Sequence, residues 1–305
     1  MKDIVFFFGA GASYGAGDII PERPPLGIHL YDELARIYPG SWGALPPEVQ
    51  EEFRKNFEHG MAKVYGKYTH AIPLLMQQMA IYFIQFRPYS NSSLYCRLIQ
   101  KLTENGIMDR VIFSTINYDC ILEFALSNQG YVIDYFNISR EGAIPVLKLH
   151  GSANMFCNNL QMSRSISYGR GVTFEGGIKA IGDIGTVVET CLSDTGLSPV
   201  MSLYMKGKPL QVSPNSVKEI QERWKEAVNS SDLVFCIGVN PNPEDDHIWG
   251  ALGQTEADLC FIGDKEAFRI WCKKHRKENS IFLGEYFNTG FACILRRILS
   301  CEIKR

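Results

Sequence analysis

The sequence lacks several features that would place it in a specialised class of proteins. Its 31 lysines and arginines are balanced by 33 aspartates and glutamates, for a net charge of −2. Surfaces that bind nucleic acid directly normally carry a basic excess, so we expect no direct nucleic-acid partner. No uninterrupted apolar stretch reaches the roughly 18 residues that cross a bilayer, and the short apolar run at the start follows an acidic residue. We therefore expect neither a membrane partner nor a secretory signal.

Closely spaced cysteines are also missing. The nine cysteines form no Cys-x-x-Cys pair, and most lie inside apolar runs, where cysteine acts as a small hydrophobic residue. This pattern favours a reducing cytoplasm and predicts neither a disulfide framework nor a zinc ribbon.

The sequence does contain several apolar runs, separated by segments with the periodicity of helices. The first run, Ile4 to Phe8, has no polar alternation and predicts a strand that is buried on both faces. Similar runs follow at 110–115, 146–149, 232–238 and 259–264. At least four of the strands end in Gly, Asn or His. We therefore predict an α/β fold, a Rossmann-like parallel sheet with helices on both faces and a ligand cleft along one edge.

The domain organisation follows from the spacing of these runs. We predict one domain over 1–305, in which 1–39 and 106–305 form the Rossmann-like core. Residues 40–105 are mostly helical and too long for one crossover helix, which predicts a helical insertion between the first two strands. Residues 155–205 have weak periodicity and are interpreted as a flexible excursion or a small irregular subdomain.

A glycine-rich turn, Gly9-Ala10-Gly11-Ala12-Ser13, follows the first strand. Such a turn lets a ligand approach the main chain and offers N–H groups to an anion, which in a Rossmann-like sheet is usually the pyrophosphate of a dinucleotide. Its third glycine, Gly15, comes one residue late for the G-x-G-x-x-G fingerprint, and no P-loop Lys-Ser or Lys-Thr follows. A tight turn without a ligand remains the alternative.

Two further motifs end later strands, and the three together resemble the sirtuin (silent information regulator) family. They are Thr115-Ile116-Asn117-Tyr118-Asp119 and Lys148-Leu149-His150-Gly151-Ser152. The family signatures are GAG-x-S, TxN-x-D and HG, in this order. The chain is particularly similar to the NAD-hydrolysing sirtuin-like domains of bacterial antiphage defence proteins, which carry TxNYD-type and KLHGS-type boxes. Matches at 24–27 and 231–238 extend the resemblance over nearly the whole chain.

The resemblance implies that NAD binds in a cleft between the sheet and a smaller module. It implies that His150 is the general base, that Asn117 holds the nicotinamide ribose or the attacking water, and that Asp119 accepts from the nicotinamide carboxamide. It also implies a set of NAD-binding residues, with the pyrophosphate on the first turn. These are Gly9, Ala10, Gly11, Ala12, Ser13, Thr115, Ser152, Gly238, Val239, Gly263 and Asp264.

The residue types fit this chemistry independently, because nicotinamide leaves without needing a proton and a base near neutral pKa assists the attack. Other interpretations stay open: His150 as a structural histidine, and Asn117 as the cap of a helix from Tyr118. The run Asp245-Asp246-His247 is interpreted as a solvated loop rather than a metal cluster. No role is predicted for the remaining histidines, His29, His59, His70 and His275.

One departure from the family affects the expected activity. Deacylating sirtuins carry a structural zinc on two cysteine pairs, but only Cys157 and Cys191 lie in 151–235, so we predict no zinc and doubt acyl-lysine binding. We expect an NAD glycohydrolase and antiphage effector, gated by homo-oligomerisation or by a partner defence protein. The alternatives are an NAD-dependent deacylase or ADP-ribosyltransferase, and a non-catalytic sensor of NAD or ADP-ribose.

Overall fold

The computed structural model of the protein describes residues 4–136, 142–161, 173–193, 197–242, 245–275 and 278–302. Its strands are β1 (Ile4–Phe8), β2 (Ile19–Ile20), β3 (Arg87–Pro88), β4 (Val111–Thr115), β5 (Val132–Asp134), β6 (Ala143–Lys148), β7 (Met155–Gln161), β8 (Glu175–Ala180), β9 (Leu233–Ile237), β10 (Asp258–Ile262) and β11 (Ser280–Gly284). Its α-helices are α1 (Ala10–Tyr14), α2 (Gly27–Ile37), α3 (Pro47–Lys55), α4 (Phe57–Lys67), α5 (Ile72–Ile84), α6 (Leu94–Glu104), α7 (Ile121–Ser127), α8 (Ile184–Leu192), α9 (Pro214–Ser230), α10 (Asp246–Gln254), α11 (Lys265–His275) and α12 (Phe287–Glu302).

Seven of these strands form one parallel sheet, in the order β11-β10-β9-β1-β4-β6-β5. Without the edge strand β5, this is the 3-2-1-4-5-6 order of a doubly wound dinucleotide-binding fold. The predicted Rossmann-like α/β fold is therefore confirmed. In such a sheet the strand order reverses between β1 and β9, and ligands bind outside the carboxyl ends of the strands at that switch point.

The central strand β1 is held by aromatic side chains of its two neighbours. Phe6 lies in register with Phe113 of β4 and Phe235 of β9, and its ring stacks on theirs at centroid distances of 5.6 and 4.9 Å. On the opposite face, the ring of Phe7 contacts that of Trp224 of α9, with 5.4 Å between the ring centroids. All of β1 is buried, as its uninterrupted apolar run predicts. Burial of each such side chain contributes about 1.5–3 kcal/mol to the stability of the folded protein.

Helices cover both faces of the sheet, which confirms that part of the prediction. The face of Phe6 and Phe8 packs against α6, α7 and α12, and the face of Val5 and Phe7 packs against α9, α10 and α11. The helical residues in these two clusters include Leu98, Leu126 and Ile294 on the first face and Trp224, Trp249 and Trp271 on the second.

Residues 40–105 contain α3 to α6 and the short strand β3, in line with their helical pattern. The amphipathic stretch within 48–65 is divided at Asn56, whose side chain accepts hydrogen bonds from the N–H groups of Glu58 and His59 and so caps α4. That this segment is a separate insertion stays a prediction. No helix in the described part of the chain has the length and apolar character needed to span a bilayer.

The stretch 155–205 is more regular than its sequence suggests. Strands β7 and β8 pair antiparallel, and helix α8 follows them. Residues 162–172 and 194–196 of this stretch lie outside the described residues.

The turns that follow β1 and β9 touch through their backbones. The N–H groups of Gly9 and Gly11 donate to the carbonyl oxygens of Ile237 and Gly238, both at 3.0 Å. Gly238 has a φ of +64°, and a Cβ built there would lie 2.0 Å from the backbone nitrogen of Ala12. Only glycine fits this crossing, because it tolerates both the left-handed backbone and the contact.

This crossing yields a prediction about Gly238→Ala. Gly130 also has a positive φ, +82°, but a Cβ there would meet nothing within 4 Å. We expect Gly130→Ala to lower the free energy of unfolding by about 1–2 kcal/mol, the penalty of the left-handed backbone alone. We expect Gly238→Ala to lower it by clearly more, in denaturant titrations followed by circular dichroism. Equal losses in the two variants would contradict a tight crossing.

Candidate active site

A cavity of about 590 Å³ lies at the carboxyl ends of the central strands. This volume is within the range of about 300–1,000 Å³ that is typical of small-molecule sites. The first turn, the turn after β4 and the turn after β6 all reach it, although they are far apart in the sequence. The predicted site residues that line it are Ala10, Gly11, Ser13, Asn117, Asp119, His150, Gly238, Val239, Gly263 and Asp264.

Four other predicted NAD-binding residues are buried next to the lining, and the fold itself uses their polar groups. The N–H groups of Gly9 and Ala12 donate to the carbonyl oxygens of Ile237 and Gly9. The hydroxyl of Thr115 accepts from the N–H of Asn117 at 2.9 Å, and the hydroxyl of Ser152 donates to the carbonyl oxygen of Tyr118 at 3.3 Å. These residues shape the turns without lining the cavity, and their role in NAD binding stays a prediction.

Asn117 connects the turn after β4 to the first turn. Its side-chain amide donates to the hydroxyl oxygen of Ser13 at 3.0 Å, and that oxygen lies 3.3 Å from the hydroxyl of Tyr95. Helix α7 begins only at Ile121, and the N–H of that residue donates to Oδ1 of Asp119 at 3.2 Å, not to Asn117. The interpretation of Asn117 as a helix cap is therefore wrong, and its amide is held at the cavity by Ser13.

Asp119 is held beside Asn117 by a buried lysine that binds its backbone oxygen. The ammonium of Lys148, which is fully buried, donates to the backbone oxygen of Asp119 at 2.6 Å and lies 2.9 Å from a carboxylate oxygen of Glu123. Burial raises the pKa of the Asp119 carboxyl, while the charge of Lys148 acts in the opposite direction. Because Lys148 precedes His150 by two residues, this contact also fixes the turn after β6.

His150 is 3% exposed and lies in the cavity wall. Burial lowers its pKa well below the usual value, and the positive charge of Lys208 and the electrostatic effect of the neighbouring His247 add to this. The imidazole is therefore neutral near pH 7, with a lone pair available to accept a proton. Its Nε2 atom lies 3.8 Å from Oδ1 of Asp245, and neither atom has a hydrogen-bond partner among the described residues.

The interpretation of 245–247 as a solvated loop is wrong. Asp245 is 5% exposed and immediately precedes α10, and the imidazole of His247 lies 5.6 Å from that of His150 between ring centroids. Helix α10 starts well beyond the end of β9, and its start lies beside His150 in the turn after β6. The polar run itself gave no signal of this packing.

Other lining residues come from segments without a recognisable motif. Lys208 pairs with Glu58 of α4 at 2.5 Å, and its ammonium lies 4.5 Å from the ring centroid of Tyr204. All three side chains line the cavity near His150. The helical segment after residue 40 thus reaches the site through Glu58, which no local pattern in the sequence indicates.

A scan against protein-family models and a search of curated proteins both find no match for this chain. The fold and the cavity define a Rossmann-like α/β protein with a ligand-sized pocket at the switch point of its sheet.

The buried ion pair yields a prediction about Lys148→Met. Removal of the ammonium leaves Glu123 buried without its counter-ion, so we expect the free energy of unfolding to fall by about 3–5 kcal/mol. The double variant Lys148→Met/Glu123→Leu should recover much of this loss. The exposed pair Arg269–Glu266 is the control, and Arg269→Met should lower the free energy by less than about 1 kcal/mol. Equal effects of the two single variants in urea titrations would contradict a buried ion pair between Lys148 and Glu123.

The lowered pKa of His150 predicts a specific pH dependence of stability. Below about pH 6.5 the unfolded chain binds a proton at His150 that the folded protein excludes, so stability is lost as the pH falls. Asp245 has the opposite effect on stability. Burial raises the pKa of its carboxyl, so its contribution to stability is lost as the pH rises. His150→Gln should reduce the slope of unfolding free energy against pH between pH 7 and 5 by up to about 1.4 kcal/mol per pH unit. The exposed His70→Gln is the control substitution, and an unchanged slope in His150→Gln would overturn the prediction.

Proposed function

We propose that the protein is an NAD glycohydrolase, which cleaves NAD to ADP-ribose and nicotinamide. The observation that carries this proposal is the meeting of three sequence motifs at one cavity. The amide of Asn117, the carboxyl of Asp119 and the neutral imidazole of His150 line it together with the turn at Gly11. These are the types of side chain that the proposed reaction would use.

The proposed reaction breaks the bond between C1′ of the nicotinamide ribose and the pyridinium nitrogen. The electron pair of that bond leaves with nicotinamide, which becomes neutral and needs no acid. The oxygen of a water molecule bonds to C1′, and His150 accepts the proton that this water loses. Asn117 orients the water or the ribose, which places the reacting atoms in contact. NAD and water thus give ADP-ribose, nicotinamide and a proton.

The extent of the cavity, which reaches both sides of β1, supports a dinucleotide as the ligand. His150, Asn117 and Asp119 follow strands β6 and β4, on one side of β1, whereas Gly238 and Gly263 follow β9 and β10, on the other side. A ligand that extends along the cavity crosses the switch point, where dinucleotides bind in doubly wound sheets. In this orientation nicotinamide lies at the His150 end and adenosine at the Gly263 end.

Water is the proposed acceptor, and loss of cellular NAD is the proposed effect in antiphage defence. An enzyme of this kind needs control, because unrestrained cleavage of NAD would damage its own cell. We propose that assembly, with further copies of the chain or with a partner defence protein, provides this control. Assays therefore need the protein both alone and after induced assembly.

The proposal predicts that His150→Ala and Asn117→Ala lose NAD cleavage. We expect each to lower the rate of nicotinamide release by about 10²–10⁴-fold, since each removes a group that acts in the transition state. Release is measured by mass spectrometry of NAD incubated with the protein. The controls are His70→Ala and Asn105→Ala, which remove the same side-chain types from exposed positions, and circular dichroism confirms folding.

Three outcomes would contradict the proposal. Full activity in both variants would remove His150 and Asn117 from the reaction. Release of nicotinamide only when an acylated peptide or another protein acceptor is added would favour transfer over hydrolysis. Binding of NAD without turnover, even in the assembled state, would favour a nucleotide sensor.

A further inference from the structure

We propose that His150, Asp245 and His247 bind a divalent transition-metal ion of the zinc type, and that this ion inhibits the proposed reaction. Two imidazoles and one carboxylate are a ligand set that suits Zn²⁺, and in such sites a fourth position is left for water or substrate. The cavity next to His150 supplies that open position.

The geometry of the three side chains is close to that of a metal site. One donor atom of each lies within 4.8 Å of the donors of the other two, and Nε2 of His150 is 3.8 Å from Oδ1 of Asp245. For three atoms spaced in this way, one point lies within about 2.8 Å of all of them, against about 2.0–2.2 Å for Zn–N and Zn–O bonds. Inward shifts of less than about 1 Å therefore complete the coordination.

The hydrogen bonding of these residues points to a ligand. Nε2 of His150, Oδ1 of Asp245 and Nε2 of His247 are buried atoms without a hydrogen-bond partner among the described residues. The other carboxylate oxygen of Asp245 accepts from the side-chain amide of Asn242 at 3.2 Å, which fixes the carboxylate and leaves Oδ1 on the side of His150. A hydrogen bond of this kind to a carboxylate ligand is typical of metal sites.

The charges around the cluster also favour a cation. Lys208 is a cation that lowers the pKa of all three groups, and its charge is paired with that of Glu58 at 2.5 Å. Asp245 therefore remains as the uncompensated charge of the group. A divalent ion would be attracted to this buried carboxylate, because the charge is poorly screened by solvent there.

Inhibition follows from the lone pair of His150. A metal bound to this imidazole occupies the nitrogen that would accept the proton, so the metal-bound enzyme would have no free base. This consequence rests on the proposed function, whereas metal binding itself does not. The ion would thus act as a reversible brake on the same cavity.

The test is titration of the purified, chelator-treated protein with Zn²⁺, followed by isothermal calorimetry and thermal unfolding, with Mg²⁺ as the control ion. We expect one Zn²⁺ per chain. His247→Gln and Asp245→Asn each remove a direct ligand, so the loss of affinity should exceed the roughly 10–100-fold that loss of an outer partner causes. The matched control His70→Gln, at an exposed histidine, should bind as the unchanged protein does.

The outcomes separate the two proposals. No Zn²⁺ binding, or equal binding by the unchanged protein and both ligand variants, would overturn the metal site; if one variant is unfolded, the other decides. Where NAD is cleaved, Zn²⁺ should slow the unchanged protein and have little effect on the rate of His247→Gln. Zn²⁺ binding without any NAD cleavage would contradict the glycohydrolase alone, and NAD cleavage without Zn²⁺ binding would contradict the metal site alone.

Discussion

Five neighbouring strands of the sheet end at the same level, and the cavity depends on this common edge. Phe8 of β1 lies in register with Thr115 of β4 and Ile237 of β9, Thr115 with the last residue of β6, and Ile237 with that of β10. The turns that follow therefore start side by side, although the chain reaches them more than 200 residues apart. Stacking of aromatic rings across the central strands holds this register, because a shift by one residue would move every side chain of a strand to the opposite face of the sheet.

The common edge of the strands does not by itself fix the conformation of the turns that follow them. Buried polar contacts do so. The ammonium of Lys148 joins the turn after β6 to the backbone of Asp119, and the hydroxyl of Ser13 joins the first turn to Asn117. Buried charges are expensive to desolvate, so apolar residues at both 148 and 123 would stabilise the packing about equally well. The use of a lysine there is better explained by the need to hold two polar turns in one arrangement.

The sequence predicted the sheet well, because buried parallel strands appear as uninterrupted apolar runs such as Ile4 to Phe8. It also indicated Asn117 and His150, which directly follow such runs. It could not indicate Glu58 or Lys208, since these reach the cavity through packing of distant segments. Asp245 was misinterpreted for a related reason: its burial depends on where α10 begins, and a short polar run gives no information about that.

The cluster around His150 is also difficult to explain by stability alone. Each buried polar atom without a partner lowers stability by about 1–3 kcal/mol, and His150, Asp245 and His247 contribute one such atom each. Apolar side chains at these positions would avoid the penalty. Natural sequences tolerate local conflicts of this kind mainly at functional sites. His150 and Asp245 lie in the wall of the cavity, at the common edge of the strands, and a ligand there would satisfy these atoms, so the cluster is a candidate functional site.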